Sequence, residues 1–200
     1  MTAVFKLFNK WSTEGIEVSD ISLKPYINIK PMLVPRTQGR SGLNRLWSNP
    51  APIVERLMNK MMVPGHKGKK HKITSGHNTG KSSMIYKIVE KTLTLVEQQT
   101  KKNPIEVFVK AIENSAPREE ITSIEYGGAR YPQAVDMSPL RRIDIVLRYM
   151  VQGSYQKSFN SKIAIEKALA DEIIAAYNFD QKSAAISKKL ELERQSDASR

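Results

Sequence analysis

Three prolines set the plan of this chain before any other feature does. Pro52, Pro104 and Pro139 each head an apolar stripe with helical spacing. Proline's fixed φ and missing N–H suit the first turn of a helix and no later one. Behind Pro52 come the apolar pairs Ile53/Val54, Leu57/Met58 and Met61/Met62, a helix over 52–62 that stops at Pro64-Gly65. Asn103 before Pro104 and Ser138 before Pro139 add capping side chains. The first opens a helix burying Ile105, Phe108, Val109 and Ile112 and ending near Asn114; the second turns Leu140, Ile143, Val146, Leu147 and Met150 inward, with Gly153 near its stop.

The same reading fills in the remainder. Ser82 or Ser83 is expected to cap a helix with Met84, Ile85, Ile88, Val89, Leu93 and Val96 on its core face and Lys87 and Lys91 outward. Residues 162–177 form another through Ile163, Ala170, Ile173 and Ala176, and 183–194 a last, polar one. The stretches 121–126 and 131–137 flank Gly127-Gly128, a pair able to adopt positive φ, so a β-hairpin is expected at about 119–137. The methionines Met58, Met61, Met62 and Met84 fall at helical spacing and read as core. Ahead of all this, Pro31 and Pro35 interrupt a mixed sequence and predict an extended arm. The fold class is mainly α: about six helices and a hairpin in one unit over 51–200, preceded by an arm at 1–50.

Charge narrows the partner. Residues 36–87 hold eleven Lys and Arg against a single acid, Glu55, and so contribute ten of the chain's net twelve positive charges. Such self-repulsion adds nothing to folding, and its economical explanation is a polyanion whose phosphates the segment neutralises, nucleic acid first. The cations fall into an arm with Arg36, Arg40 and Arg45 and a basic loop with Lys67, Lys69, Lys70, Lys72 and Lys81. A membrane surface is disfavoured because 67–81 lacks an accompanying apolar face, and no apolar run approaches the ~18 residues of a membrane span. The opening residues lack the apolar stretch of a secretory signal. The absence of cysteine removes disulfides, thiolate nucleophiles and cysteine zinc sites, and suits a reducing compartment such as the cytosol. Neither the arm nor the loop is expected to hold a fixed shape without its partner, because each buries little apolar surface.

Catalytic readings fare poorly. Residues 75–82 read S-G-H-N-T-G-K-S, close to a phosphate-binding P-loop, but the first glycine is replaced by Ser75 and lysines precede it where a buried strand belongs. Lys81 is then a phosphate contact and not a catalyst. His66, His71 and His77 are spaced by five and six, fit no helical ligand pair and lie among lysines, so no metal or other cofactor is expected. Glu119/Glu120 and Asp171/Glu172 read as solvated acids. Arg141 and Arg142 sit in the first turn of a helix, where cations oppose the helix dipole; either a phosphate there or a salt bridge to Asp136 or Asp144 compensates. The hairpin region offers Arg118, Arg130, Tyr126 and Tyr131, guanidinium and aromatic faces suited to phosphates and unstacked bases. A free-standing DNA-binding protein would need a helix with base-reading side chains, and none stands out.

These segments together resemble a known family. Pro52-Ile-Val-Glu-Arg-Leu-Met-Asn59, Asn103-Pro104 with Glu113-Asn114 and Pro117-Arg118, Gly127-Gly128-Ala129-Arg130-Tyr131, Ala134-Val-Asp-Met-Ser-Pro-Leu-Arg-Arg142 and Lys167-Ala-Leu-Ala-Asp-Glu-Ile173 are similar to segments of the universal small-subunit ribosomal protein seven family. Residues 6–27 resemble the amino-terminal extension of its archaeal and eukaryotic members. The resemblance implies a helical bundle with a protruding hairpin and no enzymatic activity. It further implies binding to the 3′ major, or head, domain of small-subunit ribosomal RNA, organisation of head assembly, and a position near the exit tRNA site, the messenger path and small-subunit protein eleven. Arg118, Arg130, Tyr131, Arg141 and Arg142 would then face RNA. The loop 66–81 and the ending at Arg200 depart from bacterial members.

Overall fold

The computed structural model describes residues 6–39, 51–67, 70–71 and 76–200. Among them are six helices: α1 (Ile53–Met61), α2 (Ser82–Thr100), α3 (Pro104–Ser115), α4 (Pro139–Ser158), α5 (Ile165–Tyr177) and α6 (Ala184–Ala198). Between α1 and α2 the backbone forms a ladder of two-residue strands, β1 (His66–Lys67) and β2 (Lys70–His71), and between α3 and α4 the long hairpin β3 (Glu119–Tyr126) and β4 (Ala129–Asp136). The helical bundle with a hairpin expected from sequence is what the structure contains.

The centre of the bundle is α5, which packs on α2, α3 and α4. Its inward face is Ala168, Leu169, Ala170, Ile173 and Ala176, all at most 1% exposed. The three alanines let neighbouring helices approach closely, while Leu169 and Ile173 fill the space with Leu93, Phe108, Ile112, Leu147 and Met150. Asn103 caps α3 as expected, its side chain accepting from the Ile105 N–H at 3.1 Å. Ser138 precedes α4 without a side-chain cap bond, and Lys81, not a serine, occupies the cap of α2. Met84 projects from the first turn of α2, 57% exposed, because among the described residues no element covers that turn; Met58 and Met61 are core and Met62 is half-buried. Helix α5 starts later than its apolar pattern predicts, leaving Ile163 outside it and exposed.

The first stretch is irregular, as its prolines foretell, but it does not bury too little to hold a shape. Leu7, Phe8, Trp11, Val18, Leu23 and Ile27 all join the core. Phe8 stands edge-on to Trp11 and packs on Tyr86 of α2 at 4.7 Å between ring centres. The Trp11 indole donates to Glu97 at 2.9 Å, and Asn103 Nδ2 donates to the Ser12 carbonyl at 2.7 Å. Residues 6–39 are thus a strap across α1, α2 and α3, and for them the expectation of an arm too polar to pack is corrected. A short 3-10 turn, Lys24–Tyr26, and a bridge from Asn28 to Pro52 carry the strap to the start of α1.

Two further corrections concern α4, α5 and α6. Gly153 does not end α4; the helix continues for another turn to Ser158. A Cβ at Gly153 would stand 2.7 Å from Ala184 Cβ and 3.3 Å from the Glu172 carboxylate, so this glycine makes room for the first turn of α6. Glu172 is not a solvated acid but fully buried. Its Oε1 accepts from the Ser183 hydroxyl at 2.8 Å and the Ala184 N–H at 2.5 Å, while Lys157 reaches Oε2 at 2.7 Å. A carboxylate under the free N–H groups of a helix start satisfies donors that the helix itself cannot.

Gly153→Ala gains up to about 1 kcal/mol of helix propensity but incurs about 1–3 kcal/mol of overpacking. The expected net outcome in urea denaturation is a lower midpoint, equivalent to a loss of about 1 kcal/mol; a raised midpoint would show that α6 can back away freely.

Candidate nucleic-acid interface

The hairpin is paired throughout, from Glu119 opposite Asp136 to Tyr126 opposite Ala129. Gly127 and Gly128 close it with φ of 60° and 81°. Positive φ at both central residues is the turn whose twist matches that of paired strands, and side chains adopt it poorly. The strand ends near the bundle are half-buried, the root packing against α6, whereas everything toward the turn is exposed. Tyr126 is 82% exposed and Tyr131 58%. Arg130 extends beside Glu125 at 3.4 Å, a solvated pair of little energetic weight. A two-stranded ribbon with both faces in solvent gains nothing from burial of its own, so its direction is fixed at the root.

Three arginines hold that root. Arg141 of α4 pairs with Glu120 through two bonds of 2.5 and 2.7 Å. Arg200 pairs with Glu119. Arg142 is buried: Nε donates to the Pro117 carbonyl at 2.9 Å, one terminal nitrogen to the Ser22 hydroxyl at 2.5 Å and the other to Asp20 at 2.9 Å. The expectation that Arg142 faces RNA is therefore corrected, since its donors are turned into the protein. Neither Asp136 nor Asp144 is the partner of the pair. Asp144 instead ties α4 to α1, accepting from Lys60 at 2.7 Å and Arg56 at 3.2 Å.

Beside the root a cleft is lined by Arg118, Phe179, Lys189 and Arg200, with Glu119, Glu193 and Asp197. Lys189 donates to the Asn114 carbonyl at 2.8 Å and lies over the Phe179 ring. Burial pushes its ammonium pKa below the ordinary value; Glu193 pulls it back, and the charges of Arg118 and Arg142 push it down again. Lys189 and Arg200 were not singled out from sequence. Lys188 and Lys189 are visible there as a basic pair, but nothing local says which of them turns toward the hairpin.

The other nominated residues lie elsewhere. Arg36 is half-buried with its guanidinium over the Tyr86 ring at 5.5 Å. Lys81 is exposed at the head of α2. Lys67 and Lys70 are opposite one another in the short ladder. Arg40, Arg45, Lys69 and Lys72 lie outside the described residues. Among the described residues no group of three or more His, Asp or Glu is placed to hold a metal, and no helix is long and apolar enough to cross a membrane.

Shape alone defines a class: a helical bundle projecting a β-hairpin whose outer half stands exposed among the described residues. Residues 23–200 match the family model described as ribosomal protein S7p/S5e. The chain is 53% identical over 195 residues to the small ribosomal subunit protein uS7 of Nanoarchaeum equitans, covering 98% of both chains. It is 43% identical over 195 residues to the protein of the same name from Methanothrix thermoacetophila, covering 98% of this chain and all of that one. The chain belongs to the S7p/S5e family of ribosomal proteins, as its segments led one to expect. It is a structural constituent of the small ribosomal subunit and not an enzyme.

Arg142→Ala strands Asp20 and the Pro117 carbonyl and is expected to lower stability by about 2–3 kcal/mol, against less than about 1 kcal/mol for the exposed Arg141→Ala; equal effects in chemical denaturation would contradict the buried role. Burial raises the pKa of the Asp144 carboxyl, but the Lys60 hydrogen bond and the charges of Lys60 and Arg56 more than offset it, leaving it below its ordinary value of 3.8. Its contribution is complete above the unfolded value of about 3.9 and disappears as pH falls through the lower, folded one. Asp144→Asn should therefore flatten the acid limb of a stability–pH curve, and an unchanged limb would assign that limb to other carboxylates.

Proposed function

We propose that this protein binds the head domain of small-subunit ribosomal RNA, organises assembly of that head and lies near the exit tRNA site in the cytoplasmic ribosome. The observation that carries the reading is the hairpin: Tyr126, Arg130 and Tyr131 are exposed on a ribbon whose root is held by the bundle. Exposed aromatic faces stack unpaired bases, and guanidinium planes meet both phosphates and bases. Arg118 and Arg141 at the root and Arg36, Arg40, Arg45, Lys67, Lys69, Lys70, Lys72 and Lys81 in the basic window supply cations for the phosphates. Selectivity comes from matching the shape of a folded RNA junction, since a β-ribbon and a dispersed set of cations carry little base-edge readout. Exit-site tRNA, the messenger path and small-subunit protein eleven are the neighbours this position gives the hairpin and the bundle.

Charge reversal at Lys69, Lys70, Lys72 and Lys81 should weaken binding to a head-domain RNA transcript. It should also flatten the plot of log affinity against log salt by about 0.7–0.9 for each phosphate no longer neutralised. Unchanged affinity at moderate salt would remove the basic loop from the interface. Sedimentation with small subunits after a moderate salt wash tests the assignment as a whole.

A further inference from the structure

The register of the hairpin gives its two faces different chemistry. Residues directly opposite one another in an antiparallel pair carry their side chains to the same side, and successive residues alternate. Tyr126 lies opposite Ala129 and Ile124 opposite Tyr131, so these four share one side of the outer half. Glu125 with Arg130 and Ser123 with Pro132 share the other, where the two charges stand side by side at 3.4 Å. The side that bears both tyrosines has no charge in its outer half. Its next pair inward is Thr122 with Gln133, and the acid beyond that, Glu120, is held by Arg141.

Tyr126 and Tyr131 occupy the diagonal of that four-residue square, positions about 7–8 Å apart. Their rings make no contact with each other. Successive bases in a strand stack at about 3.4 Å, so the diagonal has the width of one flat base with a ring on each of its faces. Ala129 leaves its corner of the square low, and Ile124, 46% exposed, supplies an apolar floor. Thr122 and Gln133 are exposed beside it; a hydroxyl and an amide each donate and accept, so they can meet the edge of any of the four bases. A protein partner fits less well, because a stable interface buries about 800 Å² on each side, more than four side chains at the end of a two-stranded ribbon present. We infer that Tyr126 and Tyr131 form a slot that takes a single unstacked RNA base at the end of the hairpin. This rests on the RNA-binding reading and adds to it an uncharged contact that holds a base, where the cations hold phosphate.

The test uses the full chain, its seven tyrosines labelled for ring-signal NMR, and two ribonucleotide hexamers, one abasic throughout and one abasic except for a central adenine. The single base should tighten binding about tenfold, the worth of stacking one base on aromatic side chains. It should also shift the ring signals of Tyr126 and Tyr131 upfield together. Tyr126→Phe and Tyr131→Phe, which assign the two signals, should keep the tenfold gain, because stacking needs the ring and not the hydroxyl. Tyr126→Ala and Tyr131→Ala should each remove most of it. A shift at one ring only, a gain lost in the phenylalanine variants or a gain retained in the alanine variants overturns the slot. Equal binding of the two hexamers by wild type also overturns it and leaves phosphate binding standing; binding of neither at low salt overturns both.

Discussion

The direction of the hairpin depends on one buried guanidinium. Arg142 joins three parts of the chain: the strap through Asp20 and Ser22, the α3–hairpin junction through the Pro117 carbonyl, and its own helix α4. Planar donors in a fixed fork suit this work better than the mobile ammonium of lysine. Around it the protein places pairs of lesser burial, Arg141 with Glu120 and Arg200 with Glu119, which brace the two strands from α4 and α6. The exposed ribbon is thus an extension of the core, held at a set angle by charge and aimed by the bundle.

The opposite end of α4 shows the same logic with the sign reversed. There the buried charge is a carboxylate, Glu172, and the groups it satisfies are the first amides of α6. Gly153 is what lets α6 come near enough for this to happen. Since α6 also packs on the hairpin root, the positions of Gly153 and Glu172 bear on the ribbon some distance away through one rigid helix.

What could be read from sequence divides by how local the signal is. Cap and proline pairs at Asn103-Pro104 and Ser138-Pro139, and the glycine pair at 127–128, act within a few residues of themselves and gave element starts and the turn directly. The side chains misread were those whose partners are remote in sequence. Arg141 and Arg142 are neighbours on one helix turn, and only the position of the strap decides that one is buried and the other not. Glu172 beside Asp171 looks like any solvated acid until α6 is placed above it. The strap's apolar residues, Leu7, Phe8, Trp11, Val18, Leu23 and Ile27, follow no period because the backbone they sit on is irregular, so no pattern announced them as core. For the interface, net charge identified the basic window at once but said nothing of Lys189 or Arg200.

The strap also imposes an order on the making of the molecule. Its anchors lie far along the chain: Ser19 and Asp20 reach Glu113, and Asp20 reaches Arg142, 122 residues onward. A ribosome synthesising this protein releases the strap well before the partners of Ser19 and Asp20, which come only with α3 and then α4. That part of the strap waits for its seat while the helices between are made, and until Arg142 arrives the root of the hairpin has only half its clamp.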